Sequence, residues 1–137
     1  MGTEEIYTLS ETHPIIIYDG VCRLCNFTVQ HILKNDNKNI FKFSPIQYIS
    51  NEAFLTLNKD SVILLENRVL YHKSKAVEHI SMLLGGRYKI LSFVLKLTPN
   101  IIADYIYDIV AKYRYSWFGK YDTCILPDPI WKDKFIE

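Results

Sequence analysis

The chain has 137 residues and a formal net charge of +1, a size that suits one domain built on a single core. At 49% hydrophobic and 23% charged residues it is too apolar to be disordered, and so small a net charge excludes a general nucleic-acid or anionic-membrane binder. Three cysteines are too few for a disulfide scaffold.

Residues 1–12, MGTEEIYTLSET, are acidic and polar and lack the basic-then-apolar pattern of a secretory signal. They are expected to form a flexible N-terminal tail of a cytoplasmic protein. Pro14 to Tyr18 is a short β-branched run bounded by Pro14 and Gly20, which predicts a buried strand. From Cys22 to about Lys34, the residues Leu24, Phe27, Thr28, His31 and Ile32 fall at helical spacing. A polar break over 35–39 follows, and IFKFSPI alternates as a second strand ending at Pro45. A short helix is expected near Asn51 to Leu57. SVILLENRVLYH reads as a hairpin turning about Glu66-Asn67-Arg68. Ser74 is placed to cap a helix through Ala76, Val77, Ile80 and Leu83, with Gly85-Gly86 as its stop.

The order β-α-β-(α)-β-β-α is an α/β arrangement, a mixed four-stranded sheet with helices on its faces. With C-x-x-C opening the first helix, it predicts a thioredoxin-like core over 13–86. Beyond Gly86 two helices are expected, Arg87 to Leu97 and Pro99 to Tyr113, with Thr98 as cap and Pro99 at the first helical position. Tyr105, Tyr107 and Tyr113 are expected at the core boundary. Residues 87–137 are therefore read as a helical extension packed on the core. Lys96, Pro99 and Asp104 interrupt its most apolar stretch, so no uninterrupted membrane span fits.

The chemistry centres on IIIYDGVCRLCN. A cysteine at a helix start points at unsatisfied backbone N–H groups and the positive helix end, which favours the thiolate, the form that attacks disulfides. Such motifs bring the reactive thiol to about 3.5–7.5 from about 8.5. Cys22 is thus the expected nucleophile and Cys25, less exposed, the resolving thiol. Arg23 adds a positive charge nearby. Asp19 has two readings: a buried carboxyl that shuttles the Cys25 proton, or the acceptor of an Asx-type turn. Asp60 and Ser61, just before the third strand, are candidates for substrate contact or thiol tuning, against a plain turn role for Asp60.

Zinc is the alternative use of the thiols. A closed site needs four ligands, and only Cys124 with His13 or His31 could complete one; no metal is expected. Cys124 itself is either a third redox thiol or a small buried apolar residue. KYRYSWFGKY interleaves basic and aromatic residues, but at this net charge packing on the core is the better account than nucleic-acid binding.

The segment YDGVCRLCN resembles the DCC family of thiol-disulfide oxidoreductases, named for D-x-x-C-x-x-C. Three further stretches carry the resemblance. FKFSPIQ has Ile46-Gln47 where a Leu-Gln pair is usual. HKSKAVEHI has the Ser-x-Ala helix start at Ser74-Lys75-Ala76, and YRYSWFGKYDTCILP has Trp-Phe-Gly and Asp-x-Cys. The resemblance implies a thioredoxin-like fold and a redox role, and supplies no substrate. Thioredoxins proper place a cis-proline before the third strand, whereas Asp60-Ser61 stand there in this chain. Three functions are open: a thiol-disulfide oxidoreductase, a thioredoxin-fold redox-sensing or partner-binding module without turnover, and a zinc-clipped interaction domain. The first needs no cofactor. Its partners would be a disulfide-containing protein or small thiol and an electron donor, with no nucleic acid.

Overall fold

The computed structural model describes residues 3–46, 62–121 and 133–135. Five helices and four strands are described: α1 (Thr3–Ser10), β1 (Ile15–Tyr18), α2 (Arg23–Asn35), β2 (Lys42–Pro45), β3 (Ile63–Glu66), β4 (Val69–His72), α3 (Lys73–Leu84), α4 (Tyr88–Leu97) and α5 (Asn100–Phe118). The strands form one sheet in the order β2-β1-β3-β4. β1 runs parallel to β2 and antiparallel to β3, and β3 pairs antiparallel with β4. This is a thioredoxin-like fold. The helix expected near Asn51 to Leu57 lies outside the described residues.

Strand periodicity divides β1 between two cores. Ile16 and Tyr18 face α2 and α3, packing with Val29, Ile32, Leu33, Phe43 and Leu64. Ile15 and Ile17 face the other way, against Ile6, Ile46, Ile63 and Leu65. Both faces of the central strands are covered, which is why β1 and β3 read as unbroken apolar runs rather than alternating ones.

The second core corrects the expectation of a flexible N-terminal tail. Residues 3–10 form α1, and its Ile6 is buried in that core. The hairpin turn holds it there. Asn67 and Arg68 both have positive φ, 48° and 68°, as a two-residue type I′ turn requires. Arg68 is an unusual residue for this conformation, and its contacts offset the cost. Its N–H donates to Ser10 Oγ at 3.0 Å, and its guanidinium pairs with Glu4 at 2.9 Å and lies over the Tyr7 ring.

The buried stripe of α2 also differs from the expected one. Val29, Ile32 and Leu33 are buried, whereas Phe27 is 69% exposed. With Cys22 as the N-cap, the face directed at the sheet runs through positions 25, 29, 32 and 33, and Phe27 falls on the opposite side.

Ser74 does not cap α3. The helix begins at Lys73, and Asp104 of α5 accepts hydrogen bonds from the Ser74 N–H and hydroxyl. A carboxylate from another helix therefore meets the N-terminal dipole. Lys73 adds an ion pair to Asp108 at 2.9 Å. α3 stops at Gly85, with φ of 72°.

Thr98 ends α4, Pro99 is the N-cap of α5, and Asn100 opens it, one residue later than expected. α5 continues past Tyr113 to Phe118 and stops at Gly119, whose φ is 93°. α4 and α5 meet at 119°. Among the described residues no single helix is long and apolar enough to cross a membrane. Tyr107 is directed inward, its hydroxyl accepting from the Val62 N–H at 2.6 Å. Tyr105 and Tyr113 are exposed instead, as are Phe93, Leu97, Ile101 and Ile106.

Candidate active site

β1 delivers Asp19, the residue that follows it, to the mouth of α2. Its Oδ1 accepts from the Val21 N–H at 3.1 Å, an Asx-type turn, the second of its two readings. Its backbone carbonyl accepts from the Cys22 N–H at 3.3 Å. Asn26, one turn into α2, donates from one amide to the carbonyls of Gly20 at 2.8 Å and Cys22 at 2.9 Å. These bonds fix Cys22 as the N-cap, with extended φ and ψ of −81° and 124°.

In that position Cys22 Sγ accepts from the Cys25 N–H at 3.2 Å. The thiol is pulled down from 9.0 to about 6. The hydrogen bond from the Cys25 side chain is the largest cause, the Cys25 backbone N–H and the Arg114 charge act in the same direction, and burial and Asp19 oppose. Cys25 is pushed far up. It donates to Cys22, it is desolvated, and a second negative charge beside Cys22 is unfavourable. The pair therefore shares one proton, held by Cys25. Both thiols are free.

Exposure reverses the expected order. Cys22 is 0% exposed and Cys25 is partly exposed. The cover on Cys22 comes from the chain leaving α5. Lys120 forms an antiparallel bridge with Cys22, the Tyr121 N–H donates to Val21 at 2.8 Å, and the Arg23 N–H donates to Gly119 at 3.4 Å.

Sequence reasoning missed the cation of the site. Arg114 is 5% exposed and donates from Nη2 to Asp19 Oδ2 at 2.9 Å. Tyr115 donates its hydroxyl to the same oxygen. Burial and the bond to Asp19 push the Tyr115 phenol up to about 12. A signal for Arg114 was present: Ala103, Tyr107, Ala111 and Arg114 repeat at helical spacing, so a cation stands on the inward stripe of α5.

A family model for DCC1-like thiol-disulfide oxidoreductase matches residues 16–120, from β1 through the covering strap. This chain belongs to that family. It is 35% identical over 129 residues to the uncharacterized protein YuxK of Bacillus subtilis (strain 168), covering 89% of this chain and 93% of YuxK. It is 33% identical over 122 residues to a chloroplastic DCC family protein of Arabidopsis thaliana, covering 85% of this chain and 71% of that one. No solved structure matches.

Of the remaining candidates of this DCC1-like chain, Arg23 is described and stands apart from the two sulfurs' hydrogen bonds. Arg23 is exposed, its guanidinium 4.8 Å from the Tyr121 ring centroid. Asp60, Ser61 and Cys124 lie outside the described residues. Among the described residues no group of three or more His, Cys, Asp or Glu side chains could hold a metal ion. His31 is exposed and bonded to the Tyr88 hydroxyl.

Proposed function

We propose that this DCC1-like protein is a thiol-disulfide oxidoreductase in which Cys22 attacks and Cys25 resolves. One observation carries the reading: Cys22 sits at a helix N-cap, its sulfur bonded to the Cys25 N–H at 3.2 Å, where backbone donors and Arg114 favour the thiolate. The thiolate displaces one sulfur of a substrate disulfide and forms a mixed disulfide. Cys25 then attacks Cys22 Sγ, its proton passing to the departing thiol. Asp19 is the proposed carrier of that proton, and Arg23, Asp60 and Ser61 the proposed contacts to substrate. The substrate is a disulfide-bearing protein or a small disulfide, and a reducing compartment such as the cytoplasm suits the reaction.

Single-turnover reduction of a chromogenic disulfide tests the assignment. Cys22→Ser should abolish it, and Cys25→Ser should accumulate the mixed disulfide. Full activity in Cys22→Ser would end the proposal.

Burial of Cys22 favours a second reading, a redox-sensing module. A thiolate under residues 119–121 can respond to oxidation without turning over, its state read by a partner through the strap. Oxidation that changes proteolysis at the strap, with no disulfide turnover, would support that reading over the first.

A further inference from the structure

A cavity of about 290 Å³ lies between the sheet and α2, α3, α4 and α5. Its wall is apolar, built chiefly by Leu24, Val29, Val77, Ile80, Val110 and Ala111. Cys25, Asp19 and Arg114 are part of its lining, and Cys22 is not. The outer approach to Cys22 is held shut by residues 119–121. The sulfur pair therefore meets open space on the Cys25 side. A void of this volume weakens a core that gains nothing from it, and it approaches the range of small-ligand sites, about 300–1,000 Å³.

We propose that this cavity is the substrate site of the exchange reaction and takes a small apolar thiol or its disulfide, the body among Val77, Ile80 and Val110 and the sulfur against Cys25. The assignment rests on the oxidoreductase reading above and departs from it in one point: a thiol that enters by this cavity is carried on Cys25, and the Cys22-first order holds for a disulfide that reaches Cys22 from outside. With the pair oxidised, the substrate thiolate attacks Cys25 Sγ. A bond forms between the two, the Cys22–Cys25 bond breaks, and its electron pair leaves on Cys22. Cys22 is the better leaving group, because the lower-pKa thiolate departs faster. A second substrate thiolate, or the second sulfur of a dithiol, attacks the bound substrate sulfur and releases Cys25. Two thiols become one disulfide, and the protein pair gains two electrons. One of the two protons shed by the substrate ends on Cys25 and the other goes to solvent. Substrate entering by the cavity is thus carried on Cys25, whereas the Cys22-first order requires residues 119–121 to part.

The test uses the full chain with Cys22 and Cys25 oxidised. Reduction of the pair by benzyl mercaptan is compared, per thiolate, with reduction by 2-mercaptoethanesulfonate. A ratio of about tenfold or more in favour of the apolar thiol is expected, the scale of discrimination that one or two buried carbons give. Val77→Phe and Ala111→Leu, which fill the cavity from opposite helices, should bring the ratio toward one; two variants guard against misfolding of either. Acid-quenched samples should carry the benzylthio group on Cys25. Equal rates for the two thiols, an unchanged ratio in both folded variants, or an adduct on Cys22 would overturn the assignment while leaving exchange itself intact. If dithiothreitol also fails to exchange with the pair, the oxidoreductase reading falls and the cavity assignment with it.

Discussion

Replacing Arg114 by Met should be among the most damaging single changes to this fold, although the side chain lies on the helical extension. Its guanidinium and the Asp19 carboxylate are 2.9 Å apart, with side chains 5% and 7% exposed. Removing one partner of so buried a pair strands the other charge, at a cost of about 3–5 kcal/mol. Asp19→Asn should cost a comparable amount by stranding Arg114. The double variant removes both charges, so its cost should fall short of the sum of the singles by roughly 2 kcal/mol, within the range measured for residues in contact. Urea unfolding of the four proteins, reduced and at pH 7, gives the cycle directly. The same substitution should raise the Cys22 pKa, because the guanidinium is one of the causes that lower it. A single-variant cost below about 1 kcal/mol, the scale of an exposed pair, together with additive effects, would refute the argument that this ion pair is buried and coupled.

The pH dependence of the reduced protein follows from its two shifted thiols. Cys22 is depressed in the folded state, from 9.0 to about 6, so its contribution to stability is complete above pH 9 and is lost as pH falls through 6. Cys25 is raised, so its contribution is present below its unfolded value and is lost as pH rises above it. Iodoacetamide labelling of Cys22 should follow a single ionisation with a midpoint near 6; a midpoint near that of a free thiol would contradict the assigned thiolate. Gly119 has φ of 93°, and a Cβ there would lie 3.0 Å from Arg23 Cδ, so Gly119→Ala should loosen the strap and speed labelling of Cys22. Ile101 is 86% exposed and Ile16 is 0% exposed; Ile101→Lys should change unfolding free energy by no more than about 0.5 kcal/mol, and Ile16→Ala should cost about 2–5 kcal/mol. Equal effects at the two positions would mean that the apolar face of α4 and α5 is covered.

The sheet was legible because its strands carry their own signals. Ile15-Ile16-Ile17 and Ile63-Leu64-Leu65 are apolar runs of strand length, and the turn at Asn67-Arg68 interrupts two such runs. Cys22 at a helix start was legible for the same reason, since a polar turn and a helical stripe flank it. What escaped depended on contacts distant in sequence. Ser74 matches a local capping pattern, yet Asp104, thirty residues on, supplies the cap. Residues 3–10 look like a polar tail, yet Ile6 finds a pocket that forms only once β1 and β3 have paired. The relative exposure of the two thiols was misread because helix position alone cannot reveal a strap arriving from residues 119–121.

The Arg114–Asp19 pair links the helical extension to the thiols. A DxxC turn alone would place a carboxylate beside Cys22, and that charge raises the thiol pKa. The shift is nevertheless downward. Hydrogen bonds from Cys25 do most of this, and Arg114 contributes a positive charge that α5 delivers across 95 residues of sequence. The same helix, one turn later, leads into the strap that covers Cys22. A displacement of the end of α5 would therefore uncover the sulfur and withdraw its cation together. Exposure and thiolate character of Cys22 are opposed in this arrangement. A substrate route through the Cys25 side of the pair avoids that conflict, because it leaves Arg114 and the strap in place.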